Sequence, residues 1–174
     1  MSEAPLEQGN AGKVPRGEGW FVVNVAEADA MDRGRFGRGT VFQGPESGFD
    51  EFGINIRVLE PGQPASMYHR EPHREAFLVL AGEALAIIEG EERALRRGDF
   101  LHVPADTAHV IVGAGDVPAT VLMVGARGAS FEVSFPVDEA ATSYGASVEE
   151  ATDDRAVAYA DAPAPRWMTL GVPW

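Results

Sequence analysis

The chain has 174 residues, a formal net charge of −13, 45% hydrophobic and 24% charged residues, and no cysteine. Such a composition fits one globular domain with a real core and an appended arm, and it excludes disulfides and any thiolate metal site. An acidic surface repels phosphate backbones and anionic lipid, so neither nucleic acid nor a membrane is an expected partner.

Residues 1–19 are rich in glycine, proline and polar groups and have no hydrophobic period. They contain no apolar leader core, and they read as a flexible lead-in to a cytoplasmic protein. Residues 20–24 (WFVVN) read as a strand and 26–31 (AEADAM) as a short helical turn. Residues 39–43 (GTVFQ) are strand-like and run into a Gly/Pro-rich loop. Ile54, Ile56 and Val58 then alternate with Asn55 and Arg57, the period of a strand with one apolar face, and Pro61-Gly62 ends the run.

Between 67 and 126 come MYHRE, EAFLVLAG, EALAIIEG, EERALRRG, DFLHVP, AHVIVG and ATVLMVGA. Gly82, Gly90, Gly98 and Gly113 punctuate them as tight turns punctuate antiparallel strands, with EGEE at 89–92 a hairpin. An all-β sandwich or barrel over residues 20–135 follows. FEVSFPV at 131–137 adds one more extended segment. Residues 136–174 change character: 147–160 has helical spacing, with acidic residues in its first half. The end, 163–174, carries two tryptophans and is expected to dock on the barrel or on a partner subunit.

All four histidines lie between 69 and 109. If alternation holds through the turn near Pro72, His69, Glu71 and Glu75 point to one side of the sheet, and His109 opens another strand. Two imidazoles and a carboxylate converging with open positions describe an Fe(II)-type facial triad; related sets hold Zn, Mn or Ni.

The punctuation around these residues makes the chain resemble a cupin. Gly62, His69, Glu75 and Gly82 stand in the order of that family's first motif, and Gly98, Pro104 and His109 in the register of its second. The likeness runs from about Ile54 to Val124. It implies a double-stranded β-helix, or jelly-roll barrel, a divalent metal ion (Fe, Mn, Ni or Zn) and a homodimer.

The sequence departs from the family pattern at three places. Glu71 stands where the second metal histidine belongs, Asp106 replaces a glycine, and Gly113 replaces an asparagine. Two ligand sets are therefore open: His69, Glu71, Glu75 and His109, which keeps register, or the same set with His73 in place of Glu71. A cupin without metal is a third outcome. Two carboxylates would shift preference towards harder ions such as Mn or Fe(II).

Alternation from these ligands predicts a small-molecule pocket lined by Met67, Phe77, Val79 and Ile111, with Arg57 either entering it or facing solvent. The expected pocket is apolar with few cationic groups. Tyr68 and Arg70 should point away from His69, and His102 is structural or supports a ligand from behind. The family likeness implies a metal-dependent enzyme of a small organic molecule, for which a dioxygenase, with Glu75 moving a proton, is preferred over isomerase, decarboxylase or lyase. A non-catalytic binding, sensory or structural cupin is the alternative.

Overall fold

A computed structural model describes residues 1–128 and 132–171. The chain is built of short strands: β1 (Leu6–Gln8), β2 (Lys13–Pro15), β3 (Asp29–Asp32), β4 (Arg38–Val41), β5 (Phe52–Leu59), β6 (Glu75–Ala81), β7 (Glu83–Ile88), β8 (Glu91–Arg96), β9 (Phe100–Val103), β10 (His109–Ala114), β11 (Ala119–Ala126) and β12 (Arg166–Thr169). Two single-turn helices, α1 (Glu139–Thr142) and α2 (Arg155–Ala158), follow the barrel strands. No helix among the described residues is long and apolar enough to cross a membrane.

The seven-stranded sheet runs β12-β3-β4-β5-β11-β6-β9 and faces a three-stranded sheet, β10-β7-β8, and the strand pairs in both are antiparallel. Alternation on each strand sends one set of side chains between the sheets. Phe77, Val79 and Val121 from the large sheet meet Ala84, Ala86, Leu95 and Ile111 from the small one in a buried cluster. This is the expected all-β cupin-like barrel. Between β7 and β8, Glu89 (φ 48°) and Gly90 (φ 81°) both lie in the left-handed region, as a two-residue hairpin turn that follows the strand twist requires.

The apolar stripe of β5 faces away from the barrel interior. Ile56 and Val58 pack with Ala30 and Leu170, and with partly buried Phe42 and Met168, so the C-terminal arm covers what would be an exposed apolar face. β12 pairs with β3, and Arg166 clamps Asp32 at 2.6 Å. The arm docks on this chain's own sheet, as one of the two expected alternatives; Trp167 stays 44% exposed, and 172–174 lie outside the described residues.

Four local expectations are corrected. Residues 20–24 form no strand: only Trp20 is bridged, by accepting from the Ala4 N–H at 2.8 Å, and Phe21 stacks on Phe49. The 26–31 stretch is a turn entering β3 rather than a helix, because Asp29–Asp32 pairs on both edges, with β4 and β12. The 147–160 helix shrinks to α2: Thr152 exchanges backbone hydrogen bonds with Phe135, and Asp154 caps the next turn through Ala156 N–H. The lead-in contains a β1–β2 hairpin, held by Asp29, whose carboxylate accepts from the backbone N–H groups of Asn10, Ala11 and Gly12. Of the 131–137 segment, Ser134 and Phe135 make isolated bridges, and Phe131 lies outside the described residues.

Candidate metal centre and cavity

His69 and His109 exchange backbone hydrogen bonds, N–H to carbonyl at 3.1 and 2.9 Å, so their side chains leave the same face as a directly opposed pair. Their rings stand 4.8 Å apart between centroids. Glu75 opens β6, whose partner β11 places Gly125 opposite it; a Cβ on Gly125 would come within 3.3 Å of Glu75 Oε1. Glu75 Oε2 lies 2.7 Å from His109 Nε2 and 3.8 Å from His69 Nε2.

The tautomers follow from acceptors that cannot donate. His69 Nδ1 lies 2.9 Å from the Met67 carbonyl and His109 Nδ1 3.0 Å from the Thr107 carbonyl, so both Nδ1 atoms carry hydrogen. Neutral rings then turn their Nε2 lone pairs towards Glu75, which is how a protein orients histidine ligands. Ligand atoms 2.0–2.2 Å from one ion and at right angles would stand roughly 3 Å apart, the scale of this cluster.

The Glu75–His109 contact can be a proton-sharing ion pair or two ligand atoms facing a cation. Both atoms are buried, and neither has an aligned hydrogen-bond partner, despite the short separation. That misalignment favours the second description. His69, Glu75 and His109 form a group whose ligand atoms all lie within 4.8 Å of one another, and its donors, two nitrogens and a carboxylate, suit a divalent transition metal.

Charge shifts agree with a coupled cluster. Burial pushes the His69 imidazole down to about 4, with the His109 charge adding to the effect. Burial also opposes ionisation of Glu75 and protonation of His109, but their mutual attraction outweighs it, lowering the carboxyl and raising the imidazole. Burial, then the charge of Glu75, pushes Glu71 up to about 7.

The cluster opens into a cavity of about 460 Å³, a size that suits a small molecule. Glu71 lies on its wall, outside the close three-residue group. His73 does not line the cavity; its ring lies against the backbone at Gly128. Phe77, Ile111 and Arg57 line it, whereas Met67 and Val79 are buried without reaching it. His102 is exposed on β9, away from the cluster. Tyr68 packs within the chain beneath α1, its hydroxyl accepting from Gly90 N–H, and Arg70 pairs with Glu89 at 3.3 Å.

Residues 55–125 match the model of the cupin domain family. These residues form a cupin domain. Both departures in the second motif have a local reason: Asp106 itself adopts φ 61° while its N–H donates to the Glu71 carbonyl, and a Cβ at Gly113 would strike the Leu59 and Glu60 carbonyls. A 42-residue stretch is 45% identical to quercetin 2,3-dioxygenase of Bacillus subtilis, covering 24% of this chain and 12% of that protein. A putative mannose-1-phosphate guanylyltransferase of Vibrio cholerae is 25% identical over 101 residues, 56% of this chain and 18% of the relative. The chain thus spans less than a fifth of the length of either curated relative. Among solved structures, a sugar phosphate isomerase from a cupin superfamily, of Silicibacter pomeroyi, is 26% identical with a TM-score of 0.50, over 63% of this chain and 66% of that one.

Sequence reasoning missed the cavity's charge. Arg33, Arg127, Arg155 and Tyr159 line it beside Arg57, so the expectation of an apolar pocket with few cations is corrected. Arg57 was legible by alternation from Ile56; the others arrive from loops and α2, which no strand period announces.

Proposed function

We propose that this cupin is a metal-dependent enzyme of a small organic molecule, with His69, Glu75 and His109 as protein ligands of a divalent ion (Fe, Mn, Ni or Zn). The observation that carries the reading is the orphaned pair, Glu75 Oε2 and His109 Nε2, buried together with both imidazoles already oriented from behind. Such an ion would supply Lewis acidity and a place for dioxygen or a substrate oxygen.

The chain's own contribution is positional. Met67 and Thr107 carbonyls fix the imidazoles, and Phe77 and Ile111 keep an apolar wall against the reacting region. Glu71 is the carboxyl on the cavity wall that stands clear of the three ligands, so proton movement at a substrate atom falls to it rather than to Glu75. A dioxygenase-type reaction fits three protein ligands with open positions, and the likeness to quercetin 2,3-dioxygenase points the same way. The second reading, an isomerase, is favoured by the cavity arginines and by the likeness to the Silicibacter sugar phosphate isomerase.

Elemental analysis of untagged protein, reconstituted in turn with Fe(II), Mn, Ni and Zn, tests the centre. Close to one ion per chain is expected, lost on replacing His69, Glu75 or His109 by Ala and retained in Glu71→Ala and His73→Ala. No ion under any of these conditions would sink the enzyme reading and leave a non-catalytic binding cupin. Oxygen uptake by the loaded protein with candidate substrates separates the two reaction types.

A further inference from the structure

Arg57 is a deeply placed charge. Its side chain lies deep in the protein and lines the cavity, and burial followed by the charge of Arg33 pushes its guanidinium down to about 10. It still carries a full charge at neutral pH. Its guanidinium donates to the Phe36 carbonyl at 3.2 Å, and among the described residues neither Arg57 nor Arg33 has a carboxylate partner. Arg33 is itself shifted down by burial and then by the charge of Arg155. Like charges gathered in a half-dry cavity cost stability unless an anion joins them.

The backbone makes room for this arrangement. Gly39 is the register partner of Arg57, and a Cβ there would come within 2.9 Å of Arg57 Cδ, so glycine lets the side chain lie across β4. Asn55, two residues earlier on the same face, also lines the cavity and has a buried Oδ1 without a partner. The Tyr159 hydroxyl accepts from Met67 N–H at 3.1 Å, which leaves its own hydrogen to donate. Two guanidinium groups thus line the cavity with no carboxylate partner among the described residues, on a chain of net charge −13.

Register fixes where this group stands relative to the metal ligands. Gly53, Gly125 and Glu75 lie level across β5, β11 and β6, and Arg57, Val121 and Val79 lie level four residues further along β5. Four residues of strand are roughly 13 Å, shortened by whatever the arginine side chain reaches back.

We propose that the cavity takes a small oxyanion-bearing molecule, a carboxylate or a phosphate monoester, whose anionic group is held by Arg57 and Arg33 while its opposite end lies at the His69–Glu75–His109 centre. This deepens the enzyme reading above and rests on it for the second end only. A planar guanidinium matches either oxyanion with paired N–H donors, and two of them suit a dianion.

The test is calorimetric titration of the full chain with inorganic phosphate, succinate and benzoate, once with metal loaded and once after chelation. Chelated protein removes the ion as a rival anion site. Saturable binding in both forms is expected, weakened at least tenfold in Arg57→Gln and Arg33→Gln with metal content unchanged. Preference for phosphate or for a carboxylate names the source of the oxyanion. If Arg57→Gln does not fold, Arg57→Lys, which keeps the charge and loses the fork, and Arg33→Gln carry the test. The same anions should raise the melting temperature of wild type and not of the variants. No binding of any of the three, or binding indifferent to both arginines, overturns the proposal. Anion binding in a protein that takes up no metal would overturn the enzyme reading and leave this one standing.

Discussion

In one part of the cavity the Glu75 carboxylate stands between the imidazoles of His69 and His109; four residues along β5 from that level, Arg57, together with Arg33 from a loop, gathers like charge with no carboxylate partner among the described residues. The first group is assembled by strands. His69 and His109 are locked by mutual backbone hydrogen bonds, and Glu75 is set by the β6–β11 register. The second is assembled across elements of different kinds: a strand supplies Arg57, the loop before a 3-10 turn (Gly34–Phe36) supplies Arg33, and α2 supplies Arg155. The difference teaches that a barrel can fix a compact ligand set by register alone, while a dispersed charge group depends on segments that wrap the barrel.

Removing the centre of the strand-built group has the largest expected effect. Truncating a residue behind a metal ligand typically costs 10–100-fold in affinity, so truncating a ligand costs more. His109→Ala should lower metal affinity by more than about 100-fold in competition with a chelator, without loss of fold. Retained tight binding in that variant would separate the ion from this cluster altogether. Proton competition adds a pH signature, because His109 is held above its ordinary value by Glu75 and must be deprotonated to ligate. Wild-type metal affinity should therefore rise steeply on going from pH 5.5 to pH 7.5, and a flat profile would remove His109 from the ligand set.

The wrapped group breaks from a different place. Phe135, 2% exposed, meets Tyr159 edge-on at 5.7 Å between centroids and lies 6.4 Å from the His69 ring. It joins the C-terminal segment to the cavity. Phe135→Ala should cost about 3–5 kcal/mol of stability by transfer and cavity terms, read by denaturant unfolding. If the comparison is right, it should also weaken anion binding more than metal binding; equal losses would mean that both groups rest on one packing unit.

Much of the strand-built group was legible in sequence, and the reason is geometric. Alternation puts Glu75 and Phe77 on one face and Ile56 and Val58 on the other, whatever covers them. Of the wrapped group only Arg57, on a strand, was legible; Arg33 and Arg155 come from a loop and a single-turn helix, which obey no strand period. Residues 26–31 look helical by propensity, yet 29–31 are strand because they pair on both edges, and the helical spacing of 147–160 gives way to a Thr152–Phe135 bridge and a late Asp154 cap. Tertiary partners decided these segments. The lead-in shows the same thing: nothing local announces that Asp29 will gather three backbone N–H groups 17 to 19 residues away.

That clamp gives a smaller, pH-dependent prediction. Burial opposes ionisation of Asp29, but the N–H groups of Ala11, Gly12 and Asn10 outweigh it and hold the carboxyl below 3.8. A folded value below the unfolded one contributes stability above the unfolded pKa and loses it as pH falls through the folded value. Asp29→Asn should thus cost about 1–3 kcal/mol at pH 7, and the gap to wild type should close as the solution is acidified below about pH 4. A gap that persists at low pH would assign the effect to packing instead of charge.

The smallest effect is expected at His73, and it sharpens the comparison most directly. His69 and His73 are four residues apart in one short stretch, and spacing alone offers both as ligands. His69 is drawn in by His109 through two backbone hydrogen bonds, whereas His73 precedes β6 in a loop and turns its ring to Gly128. His73→Ala should change stability by about 0.5 kcal/mol or less and leave metal content and anion affinity at wild-type levels. Loss of the ion in this variant alone would mean that the loop, not the register of the barrel, selects the ligands, and the contrast between the two groups would fail with it.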